Sequence, residues 1–126
     1  MNDQSFQEKF DQAWTNQKKG KFTDAMKLYD ELYEQLIKEA ADYARSFDRS
    51  EIDEGDAKKG MPLFFIKAEE YSKRDKRVCT ILNNVGVIFA ETGDKESAIK
   101  YFKESIKFTP DGLDYQNPKI GLKELE

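Results

Sequence analysis

The sequence predicts an all-α protein built from antiparallel helical hairpins that resemble one another, with two elongated middle helices and a C-terminal capping helix. Apolar residues recur at helical spacing in several segments, and one spacing of glycine, alanine and aromatic residues occurs twice. The chain has 126 residues, 37% charged and 38% hydrophobic, which suits one domain with a modest core. We therefore expect a single helical domain over residues 1–126.

The first predicted hairpin covers residues 6–39. Gly20 and Ala25 stand five positions apart, and Ala25 and Tyr29 stand four apart, as in the later and stronger pattern. A turn at Gly20 would end the first helix. The apolar face of that helix is irregular and consists of Phe6, Phe10, Ala13 and Trp14.

Residues 40–78 predict helical extensions rather than another regular hairpin. No glycine or proline occurs between Phe22 and Phe47, and apolar residues keep a helical period over that stretch. The second helix is therefore expected to cover about 22–47, roughly ten residues beyond the point where a standard hairpin would turn.

A polar, acidic loop with two glycines is expected at 48–60. The next helix should begin near Pro62, a favoured first-turn residue, and continue as one helix over 62–92. A break near 72–75 is the main alternative, because Asp75 stands where the apolar face would need a hydrophobic residue.

Residues 79–112 carry the clearest pattern in the chain. Leu82, Val85, Gly86 and Phe89 fall at i, i+3, i+4 and i+7, so they share one helix face. A glycine inside a helix is unfavourable by roughly 1 kcal/mol relative to alanine. Gly86 therefore predicts the close approach of a neighbouring helix.

A second helix completes this hairpin. A turn is expected at Gly93, since glycine is favoured just past a helix end. Ala98 and Phe102 then resume the helical period, and Pro110 should end the second helix.

The tail predicts a capping helix over residues 117–126. Asn117 suits the N-cap and Pro118 the first turn. We expect the apolar residues of this helix to cover the last hairpin: Ile120, Leu122 and Leu125.

The offsets of small, aromatic and proline residues in 79–112 resemble those of a tetratricopeptide repeat, or TPR. The spacing around Gly20 is similar to a second, less regular copy. Residues 6–36 also resemble a microtubule-interacting-and-transport (MIT) hairpin, as a weaker alternative. The TPR resemblance implies a non-catalytic adaptor or scaffold, which binds a peptide segment or helix of a partner protein in a groove.

In that family the first helix of each hairpin lines the groove. The resemblance implies partner contacts from Thr80, Asn83, Asn84, Val87, Ala90 and Glu91 in the second hairpin, and from Gln7, Phe10, Trp14, Gln17 and Lys18 in the first. Asn84 falls where many members hold the partner's backbone with an asparagine amide, which can donate and accept. Phe10 and Trp14 are apolar anchors or core residues, and they replace the lysine and asparagine of the family's carboxylate clamp. We therefore expect no such clamp.

A basic cluster suggests a different surface. Lys73, Arg74, Lys76 and Arg77 lie within two helical turns, so they could meet an acidic partner, RNA or a membrane surface. A solvated helix face explains them equally well. Self-assembly into a homodimer through exposed helix faces is another alternative, because two hairpins are fewer than such repeats usually stack.

The composition offers little for catalysis. The chain has no histidine and one cysteine, Cys79, which removes the usual nucleophile–histidine pairs, the commonest zinc ligand and an internal disulfide. Lys76 and Arg77 would tend to lower a thiol pKa, but packing is the favoured role for Cys79. Ile52 breaks the ligand spacing of a calcium loop. We expect no enzymatic activity, no cofactor and no metal site.

The sequence also bounds where the protein acts. The first ten residues show no secretory signal, and the longest apolar run, 61–66, is too short to span a membrane. A net charge of -4 argues against general nucleic-acid binding. We therefore expect a cytoplasmic protein whose partner is another protein.

Overall fold

The structure, a computed structural model, describes residues 3–46, 63–74 and 76–125. These residues form six helices and no strand, which confirms the all-α prediction. The helices are α1 (Asp3–Lys18), α2 (Phe22–Arg45), α3 (Leu63–Ser72), α4 (Arg77–Glu91), α5 (Lys95–Lys107) and α6 (Asn117–Leu125). The acidic loop expected at 48–60 lies outside the described residues, as do Phe47, Pro62 and Asp75.

Helices α1 and α2 form the first hairpin. Gly20 has a positive φ of 77°, the left-handed conformation that glycine adopts without strain, and it reverses the chain between the two helices. Ala13 of α1 is fully buried, together with Ala25 and Tyr29 of α2. Six buried residues form a stripe along the whole of α2, and this stripe accounts for its 24-residue length: Ala25, Tyr29, Leu32, Leu36, Ala40 and Ala44.

The expected single helix over 62–92 is wrong, and the alternative break is confirmed. Helix α3 ends at Ser72 and α4 begins at Arg77. The sequence from Lys73 to Lys76 contains only charged residues, so no apolar side chain continues the buried stripe across it. The Ser72 hydroxyl also donates to the carbonyl of Ala68, at 3.0 Å, within the last turn of α3.

The extension of α2 is covered by α3. The rings of Tyr43 and Tyr71 lie 5.2 Å apart between their centroids, and the Tyr71 hydroxyl donates to Oε2 of Glu39 at 3.3 Å. The same carboxylate oxygen accepts from Nη2 of Arg77 at 3.1 Å. Glu39 therefore joins α2 to both sides of the break.

Helices α4 and α5 form the second hairpin, which turns at Gly93 with a φ of 88°. A Cβ placed on Gly86 would lie 2.8 Å from Cε1 of Phe102, which confirms the predicted close approach of a neighbouring helix. The Oδ1 atom of Asp94 accepts from the backbone N–H of Ser97 at 3.1 Å and caps α5.

Helix α6 covers this hairpin, and of the three residues expected to do so Leu122 and Leu125 are partly buried. A Cβ placed on Gly121 would lie 2.6 Å from Cζ of Phe102, so the ring lies between the backbones of Gly86 and Gly121. Pro118 is fully buried, whereas Ile120 is exposed. The expectation that Ile120 covers the hairpin is therefore wrong, because the face of α6 that carries Gly121 makes the contact.

Candidate functional site

Helices α1, α4 and α6 together line a groove on one side of the molecule, which we call the inner groove. It consists of two adjoining clefts that share Trp14, Asn84 and Asn117. The Lys76 cleft, of about 520 Å³, contains residues from the N-terminal parts of α1 and α4. The Glu91 cleft, of about 400 Å³, contains residues from the later turns of all three helices. The three helices therefore run in the same direction along the groove.

The structure gathers the predicted partner contacts in this groove. Phe10 and Thr80 line the Lys76 cleft, and Trp14 and Asn84 line both clefts. The remaining four of the eight principal candidates line the Glu91 cleft: Lys18, Asn83, Val87 and Glu91. Gln7 and Gln17 line the groove as well, and Ala90 does not. Their role in binding stays a prediction.

The groove also collects exposed apolar side chains. Four large hydrophobic residues are exposed within the described part of the chain, and three of them line the groove: Trp14 at 42%, Leu113 at 39% and Ile120 at 53%. The fourth, Ile37, lies on α2. Clustered exposed apolar groups mark interaction surfaces more often than scattered ones do. Trp14 is therefore not one of the buried core residues, whereas Phe10 packs against the core beside Tyr29.

A buried chain of hydrogen bonds lies beneath the groove. The Tyr29 hydroxyl donates to Oε1 of Gln17 at 2.8 Å and accepts from Nδ2 of Asn84 at 3.2 Å. Nδ2 of Asn83 donates weakly to Oδ1 of Asn84 at 3.4 Å. Burial of Tyr29 raises its pKa to about 12. Asn84 is therefore held by Tyr29 of α2 while it lines both clefts, and its contact with a partner's backbone stays a prediction.

Two buried polar atoms of the groove have no hydrogen-bond partner among the described residues. They are Oδ1 of Asn83 and the hydroxyl of Tyr115. Asn83 is only 5% exposed. Tyr115 lies near Thr80, Asn117 and Asn83, although its hydroxyl makes no hydrogen bond with them, and burial is the main cause of its raised pKa. Since buried polar groups in folded proteins are normally paired, these two atoms require an explanation.

The two clefts differ in charge. Lys76 and Arg77 line the Lys76 cleft, and Glu91 and Glu124 line the Glu91 cleft together with Lys18. The ammonium group of Lys18 lies 5.5 Å from the ring centroid of Trp14, a distance that suits a cation–π contact.

The four residues of the predicted basic patch make different contacts in the structure. Lys73 pairs with Glu69 at 3.4 Å, and the guanidinium of Arg74 lies 4.6 Å from the ring centroid of Tyr43. These two side chains therefore face α2 and α3. Of the four cations, Lys76 and Arg77 line the inner groove, and binding of an acidic partner by the cluster stays a prediction.

The structure gives little support for a reactive cysteine or a metal site. Cys79 is fully buried, and burial raises the pKa of its thiol despite the basic neighbours, which agrees with the packing role. Within the described residues, no group of histidine, cysteine, aspartate or glutamate side chains could hold a metal ion. None of the helices described combines the length and apolar character needed to cross a membrane.

Sequence reasoning missed the third side of the groove. Six of the groove residues come from the chain after the second hairpin: Leu113, Tyr115, Asn117, Ile120, Gly121 and Glu124. The hairpin offsets end near residue 112 and contain no signal for them. The only available signal was the predicted helix at 117–126, whose place beside α4 follows from regarding it as the next inner helix of the stack.

Comparison with known proteins identifies the second hairpin. Residues 80–111 match the tetratricopeptide repeat family, within one residue of the predicted repeat at each end. Nothing supports the MIT-like alternative for residues 6–36. No curated protein and no solved structure matched the chain. Tetratricopeptide repeats are in general protein–protein interaction modules. The protein is thus a small, all-helical, TPR-like protein with a matched tetratricopeptide repeat at residues 80–111.

Proposed function

We propose that this protein is a non-catalytic adaptor that binds a peptide segment or helix of a partner protein in the inner groove. The observation that carries the proposal is the clustering of exposed apolar groups there. Trp14, Leu113 and Ile120 come from three separate parts of the chain, yet they line one groove. Apolar and aromatic anchors supply most of the binding energy at protein interfaces. A cytoplasmic location remains a prediction from the sequence.

The position of α6 also supports this function. In a bundle whose last helix served only as a cover, its apolar residues would face inward. Here Gly121 makes the inward contact with Phe102, and Ile120 remains 53% exposed at the edge of the Glu91 cleft. Helix α6 therefore adds binding surface to the groove as well as covering the second hairpin.

The chain provides a matched pair of substitutions to test the proposal. Ile120→Asp places a charge in the groove, and Ile37→Asp places the same charge on α2, where the isoleucine is 51% exposed. Both residues are exposed, so both variants should fold with unchanged helical content. Affinity capture from the native lysate with mass spectrometry should recover a partner with the wild type and with Ile37→Asp, but not with Ile120→Asp. Equal recovery with all three proteins would refute the groove assignment.

Self-assembly is tested in the same set of variants. If a second copy covers the groove, sedimentation of the wild type should show a dimer at low micromolar concentration that Ile120→Asp dissociates. A monomer at that concentration favours a separate partner protein. Binding of RNA through Lys73 and Arg74 would instead give a salt-sensitive mobility shift that charge reversal at those two residues removes.

A further inference from the structure

We propose that the inner groove binds its peptide in one electrostatic orientation. An acidic side chain of the peptide lies at the Lys76 end, a basic side chain lies beside Glu91 and Glu124, and an N–H group between them donates to Oδ1 of Asn83. This orientation presupposes the proposed function and specifies the chemistry of its ligand.

The first argument for this orientation comes from the charged side chains at the two ends of the groove. At one end Arg77 is paired with Glu39, with 3.1 Å between Nη2 and Oε2, so the Lys76 ammonium is the charge left for a ligand. At the other end two carboxylates, Glu91 and Glu124, face one ammonium, that of Lys18. No ion pair joins Lys76, Glu91 or Glu124 to another described residue. The groove therefore has a positive end and a negative end.

The direction of the helices reinforces this difference. Helix α4 begins at Arg77 and α6 begins at Asn117, and both of these residues line the Lys76 cleft. The later turns of both helices line the Glu91 cleft. Parallel helices place their partial positive charges at one end and their partial negative charges at the other, and these add to the side-chain charges.

The second argument comes from an unpaired hydrogen-bond acceptor, Oδ1 of Asn83. Asn83 is 5% exposed, and its Oδ1 atom has no donor among the described residues, while its Nδ2 donates to Asn84. The residue lines the Glu91 cleft, but its Oδ1 atom is enclosed in the free protein, so binding requires the side chain to turn toward the peptide. An acceptor requires a donor, and the commonest donor on a peptide is the backbone N–H. A bound peptide would therefore satisfy an atom that is unpaired in the free protein.

The length of the groove fixes the spacing of the two charges. Lys76 and Glu91 are separated by the full length of α4, which has 15 residues and is about 22 Å long at 1.5 Å per residue. An extended peptide covers that distance with about seven residues at roughly 3.3 Å each. The preferred ligand thus has opposite charges about seven positions apart, with apolar side chains between them.

Selection from a displayed library of random peptides of about 12 residues, long enough for the estimated span, tests the orientation. The proposal expects peptides enriched on the wild type to carry an acid and a base about seven positions apart around an apolar centre. Lys76→Glu should remove the preference for the acid, and Glu124→Lys should weaken the preference for the base. Each substitution should lower the affinity of a wild-type-selected peptide roughly three- to tenfold at low salt and less at high salt. Lys103→Glu and Glu8→Lys, on exposed positions outside the groove, are the matched controls and should change neither.

The substitution Asn83→Leu tests the role of the acceptor independently of the charged residues. It removes the unpaired acceptor together with the donor to Oδ1 of Asn84, so the two effects oppose each other and the unfolding midpoint should change little, while affinity for the selected peptides should fall several-fold. Loss of stability with unchanged affinity would overturn the role of Asn83. Peptides enriched on the wild type without paired charges would overturn the orientation alone. If no peptide is enriched on the wild type over Val87→Asp, which blocks the groove, the proposed function fails, and the orientation fails with it.

Discussion

Replacing Gly121 with alanine should loosen the contact between α6 and the second hairpin. The added Cβ would lie 2.6 Å from Cζ of Phe102, well inside van der Waals contact. The ring cannot move away freely, because on its other side Cε1 is 2.8 Å from the position that a Cβ of Gly86 would occupy. Overpacking of this kind costs about 1–3 kcal/mol, whereas replacing glycine by alanine within a helix gains roughly 1 kcal/mol. We therefore expect a net loss of up to about 2 kcal/mol in the free energy of unfolding.

Urea unfolding followed by circular dichroism measures this loss. Lys123→Ala, on an exposed position of α6, is the control for the effect of alanine on the helix. Phe102→Leu should be less destabilising in the Gly121→Ala background than alone, since a smaller side chain relieves the overlap and the two sites are coupled. If Gly121→Ala is as stable as the wild type and the α6 amides keep their protection from hydrogen exchange, the proposed packing of α6 on Phe102 is wrong.

Three further predictions concern buried groups. Tyr29→Phe should lower the free energy of unfolding by about 1–3 kcal/mol, since it removes the hydroxyl that joins Gln17 to Asn84. Tyr33→Phe is the control. Equal effects of the two substitutions in urea unfolding would contradict the role of the hydrogen-bond network. The pKa of Tyr29 rises from 10.0 to about 12, chiefly through burial, so between these pH values the folded state keeps a proton that the unfolded state loses. The resulting contribution to the free energy of unfolding should be fully present below pH 10 and should be lost as the pH rises toward 12. The free energy of unfolding should therefore fall more steeply with pH in the wild type than in Tyr29→Phe. Cys79 is buried, and that burial raises the pKa of its thiol. An aromatic disulfide reagent should therefore label Cys79 slowly in the native protein and fully in urea. Rapid labelling of the native protein would show that the thiol is accessible.

Much of the helical framework follows from local sequence. The absence of glycine and proline after Phe22, together with the helical period, predicts the long helix α2. Gly86 predicts a close neighbour because a glycine inside a helix needs a compensating contact, and Phe102 provides it. These predictions succeed because each depends on residues within a few turns of one another along the chain.

The remaining features depend on contacts between distant segments. Asp75 already indicates a break before Arg77 as an alternative to one helix, but the contact with Glu39 that stabilises the break comes from far earlier in the chain. Asn84 has the residue type expected of a partner contact, yet Tyr29 of the other hairpin holds its amide. The exposure of Ile120 follows from the contact of Gly121 with Phe102. No pattern within one segment contains this information, so sequence reasoning found two sides of the groove and missed the third.

The central claim is that a partner binds between α1, α4 and α6, and an amide chemical-shift footprint of the partner's binding segment tests it most directly. The largest changes should occur at Lys18, Val87 and Ile120, with a shift in the fluorescence of Trp14, the only tryptophan in the chain. Changes confined to the separate cleft between α2 and α4, around Met26 and Phe89, with the inner groove unaffected, would contradict the claim.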